Sequence, residues 1–207
     1  MEVRPRVYGT RAAGISFTHA VGNMGRAMQD IERILSFWFE ETSEKQWFEK
    51  DPEFDQTIRE RFGDLVESAM DGELEHWCAS ADGTLAYILL LDQFTRNIHR
   101  GSAKAFAADA KARDATKRAL AAGYDAMLDE NRKVFLYLPL EHSENLEDQD
   151  QSVALFEALG DAQKTDYAQR HRDIIQRFGR FPHRNEALGR ESTDAELAFL
   201  KEPGSSF

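Results

Sequence analysis

The sequence predicts an all-α, single-domain fold, and three observations lead there. Nearly every periodic stretch repeats its apolar residues at three- and four-residue steps, the spacing of one helix face. At 207 residues the chain suits one domain around one large core. Five prolines and the lack of any long Gly/Ser stretch leave no interdomain linker.

Residues 1–27 are set apart from this fold. They carry Arg4, Arg6, Arg11 and Arg26 against Glu2 alone and show no amphipathic period. Lacking a continuous apolar segment, they do not resemble a secretory signal. A transit peptide and a misassigned start at Met24 or Met28 both fit. Residues 28–203 are read as the helical domain. "MQDIERILSFWFEE" aligns Ile31, Leu35, Trp38 and Phe39 on one face. The next helix has Asp51 as N-cap and Pro52 at its first position, then the stripe Phe54, Ile58, Phe62, Leu65 and Ala69. Gly72 and Gly83 are expected to bracket a short helix with Trp77 and Cys78. A long helix over residues 84–100 ends at Gly101, and Ser102 caps another that stops at Gly123. "NRKVFLYLPL" is strand-like in composition but broken by Pro139, and is expected as a helix ending before that proline. Helices over 145–160 and 162–178 follow, the latter stopped by Gly179 and Pro182. A short one begins near Ser192, with Thr193 and Glu196 close by.

Composition excludes several function classes. A net charge of -11 argues against coating nucleic acid. No apolar run approaches the roughly 18 residues needed to span a bilayer, so no membrane role is expected. Cys78 is the single cysteine, so no intrachain disulfide can form; this suits a reducing, cytoplasmic setting. There is no phosphate-binding glycine loop, no His-Glu-x-x-His and no Gly-x-Ser-x-Gly, and no cofactor is expected. The histidines lack compact metal-ligand spacing, so no metal site is assigned. Charge is uneven, however. Residues 40–76 hold thirteen acids and four bases, whereas residues 92–118 hold seven bases and three acids, and 161–190 seven and four. Two basic islands sit in an acidic chain. Ordinary solvated faces would explain them; convergence on an anion is the sharper alternative.

Three segments carry the residues for chemistry. In "LDQFTRNIHRG", Asp92, Gln93, Arg96, Asn97 and Arg100 follow an uncharged run, and Asp92 and Arg96 are placed to pair four residues apart. Leu85, Ile88 and Leu89 align with Asp92, Arg96 and His99, so a core-facing stripe turns polar without changing direction. Their planar groups form directional hydrogen bonds, unlike the Lys and Glu of a solvated face. In "LPLEHSENLEDQ", His142 is flanked by Glu141 and Glu144, and nearby carboxylates would raise its pKa. In "HRDIIQRFGRFPHRN", His171 shares a face with Tyr167, Ile174, Ile175 and Phe178 and should be buried, bonded to the 92–100 cluster. Arg180, His183, Arg184 and Asn185 follow on a turn shaped by Pro182.

"LLLDQFTRNIHRGSAKAFAADAKA", "YLPLEHSENLEDQDQSV" and "RHRDIIQRFGRFPHRNEALGRESTDAE", with "ILSFWFEE" and "KQWFEKDPEFDQTIRERF" before them, resemble the signature blocks of the bacterial domain-of-unknown-function family 924. The resemblance covers about residues 30–200. It implies a tetratricopeptide-like right-handed helical superhelix, although no 34-residue repeat is visible. It implies no reaction. Carried over by position, the family-like polar residues are Asp92, Gln93, Arg96, Asn97, Arg100, His142, Glu144, Gln149, His171, Arg180, His183, Arg184 and Asn185. At His99 and Thr95 this sequence departs from the pattern, which counts against roles for those two.

Three functions compete. A binding module would present Arg96, Arg100, Arg180 and Arg184 to an anionic small molecule or acidic peptide. A hydrolase or transferase would use His142 or His183 as general base, oriented by Glu144 or Asp92. An interaction scaffold would leave the same polar residues scattered. The oligomeric state is not legible in the sequence.

Overall fold

The computed structural model describes residues 17–205, with side chains from residue 24 onward. Among the described residues every regular element is helical. Helix α1 spans Phe17–Ser36, so the boundary placed after residue 27 falls within a helix. The first sixteen residues of the proposed extension lie outside the described residues. At Ser36 the chain widens into a π-helical segment, Phe37–Glu41, and Ile34, Leu35, Phe37 and Trp38 enter the core. Ile31 and Phe39 pack on it only partly buried.

Short helix α2, Glu44–Phe48, leads to α3, Pro52–Asp71. The Asp51 carboxylate accepts from the N–H groups of Glu53 and Phe54 at 2.9 and 3.3 Å, satisfying donors that a helix start leaves unpaired. Its buried stripe is Phe54, Ile58, Phe62, Val66 and Ala69; Val66 takes the central place expected for Leu65, which is partly buried. Gly72, at φ 86, closes the helix in the left-handed conformation that suits glycine.

The short segment carrying Trp77 is a 3₁₀ turn, Glu75–Ala79, and Gly83 does not close it. Gly83 belongs to the first turn of α4, Ala81–Ile88, where a Cβ would stand 2.2 Å from the Trp77 carbonyl oxygen. Glycine is required there by a close approach. The long helix expected over 84–100 is three pieces on one axis: α4, a π-helical segment Leu89–Phe94, and α5, Thr95–Ile98. Residues 83–95 are buried without a break, so the rod runs through the interior of the molecule. Phe94 meets Trp38 at 5.4 Å and Phe62 at 5.2 Å between ring centres.

The single helix expected after Ser102 is broken. A 3₁₀ turn, Ala103–Phe106, precedes α6, Asp109–Ala121. The break swings the Phe106 ring beneath Arg96 and Arg184, at 5.7 and 4.8 Å, and leaves Asp109 in the first turn of α6. Ala112, Ala115 and Ala119 are buried, allowing the helix to lie close to its neighbours. Helix α7, Glu130–Glu141, corrects the expectation of an end before Pro139: it continues through the proline. Pro139 lies one turn from the end, and residues 134–141 are all buried, so packing offsets the missing donor. Helix α8, Leu146–Leu159, is capped by Asn145, and α9, Ala162–Phe178, ends at Gly179. A 3₁₀ turn at Pro182–Arg184 leads to α10, Asp194–Phe199, whose Thr193 and Glu196 form a capping box. Helices α7, α8 and α9 pack in succession, with α7 against the rod. All of these elements share one domain. No helix among the described residues is long and apolar enough to cross a membrane.

Candidate functional site

The π-helical segment ends by placing Asp92, 0% exposed, at the point where the rod leaves the apolar core. Wide turns of this kind recur at functional sites. The Asp92 carboxylate meets His142 Nδ1 at 2.8 and 2.9 Å, Arg96 Nη1 at 3.0 Å and Gln93 Nε2 at 2.7 Å. Arg96 then grips Asp109 with both Nη groups, at 3.0 and 3.1 Å, and Arg184 donates to the same carboxylate at 3.2 Å. One ionic network thus joins the rod, the end of α7, the first turn of α6 and the Pro182–Arg184 turn.

Burial by itself would raise the Asp92 pKa; Arg96 and His142 outweigh it and hold the carboxylate well below its usual range. The expected rise at His142 is reversed. Burial pushes its pKa down, Arg96 and Arg184 add to that, and the partner Asp92 offsets only part of it. Its neighbours in sequence are engaged elsewhere. Glu144 binds Arg190 at 2.7 Å, and Glu141 stands 3.3 Å from His171. Because ionised Asp92 only accepts, Nδ1 of neutral His142 carries the proton and Nε2 the lone pair.

Behind this pair lie Glu141 and His171, both buried. Burial, reinforced by Asp92, pushes Glu141 up to about 8. Burial also pushes His171 down to about 3, against the opposing effect of the Tyr167 carbonyl, which its Nδ1 meets at 2.8 Å. His171 lies inward as expected, with Ala168, Ile174 and Ile175, while Tyr167 at the edge of that face is exposed. His142 and His171 stand 6.3 Å apart between ring centres. His183, 5.6 Å from the Phe181 ring, is pushed down to about 4 by burial and by Arg184.

Arg184 is the least satisfied member. It is 6% exposed, and its guanidinium lies over the Phe181 and Phe106 rings at 4.5 and 4.8 Å. Burial and neighbouring Arg96 push its pKa down to about 10. Asp109 takes one donor, while the buried Nε has no hydrogen-bond partner among the described residues.

The other sequence-predicted residues are engaged around this centre. Asn97 and Arg100 both turn to Asp55 on α3, at 2.7 Å and at 2.7 and 2.8 Å. Arg180 pairs with Glu196, Glu144 also accepts from the Phe181 N–H, and Asn185 bridges Ser192 and Arg190. These contacts hold the 179–192 turn in place. Gln149 ties the end of α7 by donating to the Glu141 and Ser143 carbonyls. Thr95 bonds the Leu91 carbonyl and His99 faces Glu67, so both stay outside the network. Sequence reasoning missed Asp109 and Phe106, which only the break before α6 brings inward. Two surface cavities, of about 420 and 350 Å³, lie elsewhere and include none of Asp92, His142 or Arg184. Among the described residues no group of three or more His, Cys, Asp or Glu is placed to hold a metal ion.

Residues 34–204 match the family model described as "Bacterial protein of unknown function (DUF924)". The chain belongs to the DUF924 family. A solved structure similar to this DUF924 protein is that of a protein of unknown function from Agrobacterium tumefaciens. It is 37% identical, with a TM-score of 0.78, and the match covers 86% of this chain and 98% of that one. No curated protein matches the chain.

Proposed function

We propose that this DUF924 protein binds a small carboxylate-bearing molecule between Arg184, Arg96 and His142. The observation that carries the reading is Arg184, a buried cation whose Nε makes no hydrogen bond among the described residues. Burying a guanidinium so poorly satisfied costs several kcal/mol unless something completes its hydrogen bonds. Two aromatic rings lie against its guanidinium, and a carboxylate suits the unpaired Nε edge. Charge narrows the ligand class. Arg96 and Arg184 are already balanced by Asp92 and Asp109, so the centre suits a single added negative charge better than a phosphate dianion. Its compactness favours a small molecule over a peptide chain.

The test is isothermal titration and thermal shift with acetate, succinate and benzoate, alongside inorganic phosphate. A saturable shift with a carboxylate is expected, and Arg184→Met should weaken it by about 1.5–3 kcal/mol, or about 10- to 150-fold in Kd. Indifference of the parent to every carboxylate at millimolar concentration removes the reading.

A further inference from the structure

Resting on the ligand reading above, we propose that His142 is a general base, and that the protein hydrolyses a small ester carrying a carboxylate, with water as nucleophile. The imidazole has the required geometry. Its Nδ1 is fixed by both oxygens of the Asp92 carboxylate, at 2.8 and 2.9 Å, which sets the tautomer and aims Nε2 away from the rod. Asp92 is held in turn by Gln93 and Arg96, at 2.7 and 3.0 Å, so the ring cannot swing freely. A base oriented by a carboxylate, itself oriented by a third group, is the arrangement that proton abstraction needs.

The neighbours argue for water as the attacking group. Ser143, the hydroxyl adjacent in sequence, is committed to Asp148 at 2.7 Å. Cys78 lies in the separate cavity with Arg118 and Tyr124. With Arg184 holding the substrate carboxylate, Nε2 takes a proton from water as its oxygen bonds to the acyl carbon. The carbonyl electrons move onto oxygen, where the positive field of Arg96 and Arg184 offsets the new charge. As the carbonyl re-forms, the carbon–oxygen bond to the leaving alcohol breaks. The imidazolium then returns its proton to that oxygen. One water is consumed, an acid and an alcohol leave, and His142 is neutral again.

The experiment uses the full chain with 4-acetoxybenzoate, whose product 4-hydroxybenzoate is followed by absorbance, and with uncharged phenyl acetate for comparison. Saturable hydrolysis of 4-acetoxybenzoate is expected, with at least about tenfold lower kcat/KM for phenyl acetate. His142→Gln should abolish turnover, with benzoate still held, if more weakly, through Arg184. Asp92→Asn should lower kcat by about 100-fold or more. The exposed His76→Ala variant should keep the parent rate. Should the site variants fail to fold, the parent itself still decides. Diethyl pyrocarbonate should inactivate it by modifying His142, and benzoate should protect. Benzoate binding without hydrolysis above the buffer rate, or modification mapping to another histidine, overturns the general-base proposal and leaves the ligand reading standing. Failure to bind benzoate and to hydrolyse removes both.

Discussion

Glu141→Gln is expected to make the protein increasingly more stable than the parent as pH rises from about 5 to 8. In the parent the carboxyl is 5% exposed and titrates at about 8 rather than at the ordinary 4.5. Between those values the folded chain holds a proton that the unfolded chain has released, so stability falls as pH rises, by about 1.4 kcal/mol per unit. His171 acts with the opposite sign. Its pKa is pushed down from 6.5 to about 3, so between those values the unfolded chain binds the extra proton and stability rises with pH. Up to about pH 6.5 the two trends oppose each other, and His183, pushed down to about 4, adds to the side of His171. From there to pH 8 Glu141 stands alone, and the parent should lose about 2 kcal/mol. Glutamine keeps the shape and does not titrate, and the histidines are common to both proteins, so they drop out of the difference. Urea unfolding followed by circular dichroism, from pH 5 to pH 8.5, measures it. The curves of parent and variant should separate steadily across this range, by about 1.4 kcal/mol per unit up to about pH 8. Parallel pH dependence in the two proteins would refute the assignment of a protonated Glu141 to this core.

Replacing His171 by alanine leaves a cavity beside Phe181 and removes the partner of the Tyr167 carbonyl and Glu141. Thermal unfolding should register a loss of about 2–4 kcal/mol, and a parent-like melt would mean that the inward placement is wrong. Gly83→Ala would set a methyl 2.2 Å from the Trp77 carbonyl oxygen and 2.9 Å from Ser80 Oγ. The α4 start must then move, at a cost of about 1–3 kcal/mol, and an unchanged urea midpoint would contradict that close approach.

Local signals in the sequence were legible and long-range ones were not. Asp51 and Pro52 at one helix start, Thr193 and Glu196 at another, and the glycines ending α3 and α9 act within a few residues of themselves. So does the pairing of Asp92 with Arg96 across one turn. Gly83 misled because its reason is a carbonyl six residues back in a different turn. Pro139 misled because burial along α7 outweighs its lost donor. In the candidate site, the three polar blocks could be seen but not their division of labour. Asn97 and Arg100 share the polar end of the rod with Arg96, yet they serve Asp55, more than forty residues away. Asp109, thirteen residues beyond Arg96, became its partner only through a helix break that the Ala-rich composition conceals. Periodicity reports which side of a helix faces inward, whereas these pairings depend on where a second helix lies.

The wide turn at Leu89–Phe94 works as a gear between two functions of one helix. An α-helix advances about 100° per residue, so one residue more or fewer in that turn rotates everything beyond it by about that angle. The apolar shaft, Leu85 to Leu91, would keep its contacts, while Arg96 would be carried away from Asp109 and Arg100 away from Asp55. The Thr95 hydroxyl, bonded to the Leu91 carbonyl, acts as the pawl on this gear. A change in the number of residues there would therefore re-aim the polar tip at the expense of the Phe94 packing on Trp38 and Phe62. Lineages could thus acquire a differently pointed set of charges by a single-codon insertion rather than by new side chains.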